Sequence, residues 1–231
     1  MRWINATSAV AAAFCLLGAR EVPPSADTVL AELNAGNGHH VAKKYQHPHQ
    51  TAARQRELAS GQHPHCAVLA CADSRVAPEI VFDQGLGDVF DVRVAGNVAG
   101  DAETASLEYA AEHLHVPLIV VMGHSNCGAV SAALEGGTLP GKLPDLMAMI
   151  RPAVDQSAHE PGDRVANTVR DNVAHVVRQL LAARPVLTEL AESGKLRIVG
   201  AVYSLETGKV DWLPAAAGQS SSHSAAHQSH R

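Results

Sequence analysis

Five residues in two short stretches carry side chains that could do chemistry together. "CADSRV" supplies Cys71, Asp73 and Arg75, and "VVMGHSNCGAV", Val120 to Val130, supplies His124 and Cys127. Two thiolates and one imidazole are a soft donor set that suits zinc. Three protein ligands leave a fourth tetrahedral position open, the mark of a catalytic rather than a structural zinc. The chain has no C-x-x-C pair, so it encodes neither a zinc knuckle nor a thioredoxin-type redox pair. Asp73 and Arg75 stand two apart. Alternate residues of an extended or turning segment can face the same way, so the guanidinium can hold the carboxylate in a charge-assisted pair. A carboxylate held so can orient a hydroxide on the metal. Each piece also has a plainer role open to it. A His after a strand can be a satisfied core imidazole, a Cys a small buried hydrophobe, and an Asp the cap of the next helix. The coincidence of all five residues beyond two apolar runs favours the joint reading.

The surrounding sequence must then place those runs side by side. "CAVLAC" (Cys66 to Cys71), "VFDVRVAG" (Val89 to Gly96), "VPLIVVMGH" and "LRIVGAVYS" (Leu196 to Ser204) read as strands. Runs this continuously apolar suit a parallel sheet covered on both faces. Helical patterns separate them. "TVLAELNAG" is expected to open on Asp27 as N-cap and to stop at Gly36. "TAARQRELASG" reads as a short helix. "DAETASLEYAAEHLH" opens on Asp101 as N-cap and places Leu107, Ala110 and Leu114 on one face. "CGAVSAALEGG" and one long helix over "ANTVRDNVAHVVRQLLAARPVL" complete the set, and "VDWLP" adds an edge strand. Strands alternating with helices predict an α/β fold: a mostly parallel central sheet of about four parallel strands plus an edge strand, flanked by helices. Ligands of such sheets bind beyond the carboxyl ends of the strands, where Cys71 and His124 stand.

Composition limits the remaining possibilities. Hydrophobic residues make up 46% of the 231, enough for a sizeable core and too many for a disordered chain. Net charge is −5, no Lys/Arg run occurs and aromatics are 3%, so nucleic-acid binding has neither an electrostatic footprint nor stacking platforms. Residues 1–22 form a signal-like or terminal extension. Its segment "WINATSAVAAAFCLLGA" is too short and too broken by polar residues to span a membrane. A cytoplasmic location is expected, with export the alternative if that extension is a signal peptide. Residues 23–214 read as one catalytic domain with an N-terminal helical extension. Residues 215–231 read as a low-complexity tail, in which His223, His227 and His230 are solvated.

Several segments, in order and spacing, resemble the β-class carbonic anhydrases. They are "GQHP", "CADSRVAPEIVFDQGLGDVFDVRVAGNVA", "LEYAAEHL", "LIVVMGHSNCGAV" and "GKVDWLP", and the likeness spans roughly Thr28 to Pro214. The resemblance implies reversible hydration of carbon dioxide to bicarbonate and a proton by a zinc-bound hydroxide. It implies one Zn2+ per subunit on Cys71, His124 and Cys127, with Asp73 and Arg75 working beside it. In some members this Asp itself takes the fourth zinc position until higher pH, or a change in bicarbonate, releases it to the Arg. Gln62, Phe90 and Tyr109 match positions lining the carbon dioxide pocket of the always-open subtype. Val68 stands where the closing subtype often carries Trp, and Ala95 where Val is common. The resemblance also implies self-association as a dimer or a multiple of dimers. Two thiolates donate more negative charge than imidazoles, so water on this zinc should be less acidic than on a His-ligated one, and activity should climb toward alkaline pH. Two other readings stay open at the level of sequence: a related zinc hydrolase of a sulfur analogue such as carbon disulfide, and a non-catalytic bicarbonate-binding protein.

Overall fold

The apolar runs become adjacent strands in a computed structural model that describes residues 24–215. The strands are β1 (Cys66–Ala70), β2 (Val89–Arg93), β3 (Leu118–His124), β4 (Arg197–Tyr203) and β5 (Val210–Trp212). They lie in the order β2-β1-β3-β4-β5; the first four are parallel and β5 pairs antiparallel to β4 at the edge. The expected sheet is therefore the observed one. Its helices are α1 (Ala26–Ala42), α2 (Ala52–Leu58), α3 (Pro78–Val81), α4 (Asp101–Glu112), α5 (Gly128–Glu135), α6 (Leu143–Gln156), α7 (Arg164–Leu181) and α8 (Val186–Glu192). Among the described residues no helix is long and apolar enough to cross a membrane. The extension 1–22 and the tail histidines lie outside the described residues, as does Cys15.

Side chains alternate across a strand, and this divides the core into two layers. Ala67, Leu69, Ile119, Val121 and Ile198 pack beneath Leu107, Val173, Val176, Leu180 and Leu187 of α4, α7 and α8. Cys66, Val68, Ala70, Val120 and Met122 pack beneath Val29 and Leu33 of α1 and Val81 of α3. A third cluster sits beyond the strand ends, where Cys71, Val98, Cys127, Val130, Ile150 and Val169 meet.

Several helix boundaries differ from the sequence expectation, each for a physical reason. Ser25, not Asp27, caps α1, its hydroxyl accepting from the Thr28 N–H at 3.1 Å; Asp27 instead pairs with Arg197 of β4. The helix does not stop at Gly36 but runs on to Ala42 and ends where Lys43 turns left-handed at φ 56°. Gly36 is needed for a close approach, since a Cβ there would stand 1.8 Å from the Phe82 carbonyl oxygen. Asp101 is the first residue of α4. The cap is Gly100, whose N–H donates to the Glu103 carboxylate at 3.0 Å. The long helix divides into α7 and α8, because Pro185 has no N–H to continue the ladder and disfavours a helical Arg184. The sequence reading did not identify α6: Pro144 and Pro152 mask it, although Pro144 falls in the first turn, where proline is tolerated.

Strand β2 lies at the sheet edge and carries Asp91. One oxygen of this carboxylate is buried without a hydrogen-bond partner. Burial, and after it the nearby charge of Glu79, pushes the group up to about 7 against the opposing pull of Arg93. An unfolded Asp ionises near about 3.9. Between that pH and 7 the folded chain keeps a proton that the unfolded chain has lost, so stability should fall as pH rises through this window. Asp91→Asn is expected to abolish that fall, and to be more stable than wild type at pH ~8 by on the order of 1–2 kcal/mol in chemical denaturation. In the same assay, Gly36→Val is expected to cost about 3 kcal/mol or more by overpacking. Gly38→Ala, where a Cβ meets nothing within 4 Å, is expected to stabilise by roughly 0.5–1 kcal/mol.

Candidate metal centre

The register of β1 and β3 brings the site together. Ala70 pairs with Met122, so Cys71, the residue after β1, and His124, the last of β3, leave the sheet at the same end. The chain then turns through Ser125 and Asn126, the latter left-handed at φ 53°. The Ser125 N–H donates to the Tyr203 carbonyl at 2.9 Å, and its hydroxyl accepts from the Leu205 N–H at 2.9 Å, pinning the turn to the end of β4. Cys127 follows as the N-cap of α5. The donor atoms of Cys71, His124 and Cys127 all lie within 4.8 Å of one another, and all three residues are buried.

This constellation fits a zinc ion. A tetrahedral site with Zn–S about 2.3 Å and Zn–N about 2.0 Å needs donors roughly 3.6–3.8 Å apart, an inward movement of no more than about 1 Å. The imidazole makes the strongest case. His124 Nδ1 donates to the Ser125 carbonyl at 2.9 Å, and because a carbonyl can only accept, this fixes the tautomer and leaves a lone pair on Nε2. His124 is fully buried, and Nε2 has no hydrogen-bond partner. A buried lone pair without a partner costs free energy that a cation removes. One thiol is prepared as well. The Cys71 thiol is pulled well below its usual range, first because Cys127 donates to its sulfur and then through the N–H groups of Gly96 and Asp73, while the same contact and burial push the Cys127 thiol up. Cys66 is different: burial pushes its thiol up to about 12, the state of an inert core residue.

Asp73 stands at the edge of this centre, its Oδ2 3.8 Å from His124 Nε2. Arg75 grips it completely. Its Nε and its own N–H each donate to Oδ1 at 2.9 Å, and Nη2 donates to Oδ2 at 2.7 Å. These bonds, the side-chain ones above all, hold the Asp73 carboxyl well below the usual range. The helix-cap reading of Asp73 does not apply, because α3 begins only at Pro78 with Ala77 as its cap. The sequence reading missed Arg93. The Ala70–Arg93 register places it beside the site, where it donates to the Asp73 carbonyl at 2.6 Å and the Cys71 carbonyl at 3.3 Å. No spacing within the motif announces it; only strand pairing does.

The remaining sequence candidates are more dispersed. Phe90 and Tyr109 form a tilted aromatic pair with centroids 6.2 Å apart. Gln62 is exposed between α2 and β1, and Ala95 is half-buried beside Gly96. Val68 is fully buried under α1, on the face opposite the layer that receives Phe90, so the structure does not bring those two together. Removing the Arg75 grip, as in Arg75→Met, is expected to raise the Asp73 carboxyl toward the ordinary range near about 3.9, read from the pH titration of its carboxyl carbon by NMR.

Known proteins with related sequences and structures point to one family. The carbonic anhydrase family matches residues 66–210. Carbonic anhydrase 2 of Mycobacterium tuberculosis is 44% identical over 181 residues, which are 77% of this chain and 87% of that protein. The carbonic anhydrase of Mycolicibacterium smegmatis is 40% identical over 194 residues, 81% and 94% of the two chains. Among solved structures, a tetrameric β-carbonic anhydrase of Sordaria macrospora superposes with a TM-score of 0.65 at 28% identity, covering 81% of this chain and 97% of that one. The chain belongs to the β-class carbonic anhydrases.

Proposed function

We propose that this carbonic anhydrase hydrates carbon dioxide at one zinc ion held by Cys71, His124 and Cys127, with Asp73 orienting the nucleophile and Arg75 holding Asp73. The observation that carries the proposal is the unpartnered, fully buried Nε2 of His124, set among two thiols and 3.8 Å from a permanently ionised carboxylate. Zinc there would supply Lewis acidity, making a water nucleophilic near neutral pH. The rest of the work falls to the chain's own side chains. Asp73 is held so far below the usual range that it accepts a hydrogen bond and never donates one at working pH. A hydroxyl lying against it must point its hydrogen at the carboxylate, which turns a lone pair toward the substrate. Arg75 also engages both Asp73 oxygens, which supports the open arrangement over the one in which Asp73 takes the fourth position.

Carbon dioxide has no net dipole and needs an apolar slot. We assign its walls to Phe90, Tyr109 and Ala95, with Gln62 donating to a substrate oxygen; Val68 stays in the core. Phe90 is half-buried, and Gln62 and Tyr109 are exposed in the single chain. That exposure suits a wall completed by self-association, as a dimer or as a tetramer like that of the Sordaria enzyme. The relatives found by sequence are named carbonic anhydrases, so neither the sulfur-analogue hydrolase nor the non-catalytic reading gains support.

Stopped-flow hydration tests the assignment. The zinc-loaded chain is expected to be active at alkaline pH, to lose activity to a chelator and to regain it with zinc. Asp73→Asn is expected to keep its zinc and lose at least about tenfold in kcat/KM. An inactive wild type with zinc bound would sink the enzymatic assignment. Full activity in the Asp73 variant would remove only the orienting role.

A further inference from the structure

One buried side chain links helix α7 to the sulfur of Cys71. The Gly96 N–H donates to Cys71 Sγ over 3.3 Å, and the Gly96 carbonyl accepts from Asn172 Nδ2 at 2.8 Å. The turn that carries this peptide has little preference for its own shape. Gly96 is left-handed at φ 72°, and Asn97 follows at φ 44°. A Cβ on Gly96 would stand 2.8 Å from Ile150 Cδ1. Helix α7 holds the turn at two points: Asn172 takes the Gly96 carbonyl, and Gln179, two helical turns on, donates to the Ala99 carbonyl at 2.6 Å. Only the first contact acts on the residue that touches the sulfur.

Packing alone does not call for a carboxamide at position 172. Asn172 is 1% exposed, and Val169, Val173 and Val176 beside it on the helix are apolar and buried. Its Oδ1 has no hydrogen-bond partner, so the core carries an unsatisfied polar atom for the sake of a single donated bond. A residue kept at that cost points to a role for the bond itself.

We propose that Asn172 is a positioning residue for the metal centre: it sets the Gly96 peptide so that its N–H meets Cys71 Sγ, fixing the sulfur's place and drawing electron density from it. A thiolate that accepts an N–H bond is a weaker donor and leaves its metal a stronger Lewis acid, which matters in a centre with two thiolates. The inference rests on Cys71 being a metal ligand, and the test separates the two ideas. Cobalt(II) substitution reads the thiolates through their sulfur-to-metal charge-transfer band, and competition with a chelator reads affinity. In wild-type protein loaded with cadmium-113, the Gly96 amide proton is expected to show scalar coupling to the metal through the sulfur. Asn172→Leu and Asn172→Asp are expected to shift the cobalt band, lose that coupling and, because loss of the sulfur's fixed place outweighs its gain in donor strength, weaken metal binding by about tenfold or more. Gln179→Leu, which frees the same turn at its other end, is expected to leave all three as in wild type. If wild type shows no thiolate band, or a band of undiminished intensity in Cys71→Ser, Cys71 is not a ligand and the reading beneath the inference fails. If the band is present, four outcomes overturn the inference itself: no coupling at Gly96, unchanged metal properties in a folded Asn172 variant, an equal change in Gln179→Leu, or failure of both Asn172 variants to fold.

Discussion

The parallel pairing of β1 with β3 is the constraint on which the rest of the site depends. Their strand ends share one edge of the sheet, so a thiol just past β1 and an imidazole closing β3 emerge together although 53 positions separate them in the chain. A shift of one residue in that register would turn the side chains of one strand to the opposite face. Continuous burial of both strands prevents such a slip. β1 and β3 are buried at every position, and their two faces meet different helices with differently shaped side chains. The apolar composition of the strands thus sets the geometry of a polar centre.

Around that pairing the site divides into two halves built by different forces. The metal-holding half is assembled at long range. Ser125 is tied to β4, Gly96 to α7 and the Cys71 carbonyl to Arg93 of β2, so three separate elements fix three donor atoms. Such a centre is rigid because each contact is locked by a packed neighbour. The carboxylate half is local. Arg75 offers Asp73 three donors from two residues away, and its side chain is 56% exposed. An exposed ion pair contributes little to stability. Here it sets the direction and acidity of one carboxylate, which under the proposed function is a catalytic contribution.

Much of this was legible in the sequence because the informative signals are local. Cys71, Asp73, Arg75, His124 and Cys127 fall in two short motifs, and the strands announce themselves as apolar runs between turn residues. What was not legible depends on tertiary proximity. Gly36 reads as a helix stop until the Phe82 carbonyl is seen against it. Helix α6 is hidden by prolines whose cost is met by packing Ile150 and Val154 into the third cluster. Arg93 and Asn172 carry no motif at all: one reaches the site through strand register, the other through a helix whose polar and apolar residues are both buried.

The division of the site bears on how it can move. Displacing the metal-holding half would break bonds to three other elements of the fold. Turning the Asp73 carboxylate alone breaks only bonds to Arg75, two residues on and largely in solvent, where water can replace each donor at modest cost. If the proposed zinc is held there, the carboxylate can turn between Arg75 and that ion while Cys71, His124 and Cys127 stay in place. Which way it turns is set by the balance between a fork of guanidinium hydrogen bonds and the attraction of a cation. In this structure the guanidinium holds it, with both carboxylate oxygens engaged and Oδ2 still within 3.8 Å of the ligand imidazole. Under the proposed function, access to a fourth metal position thus comes down to one rotatable side chain on a local turn, and the rigid register of β1 and β3 gives that turn a fixed centre to act on.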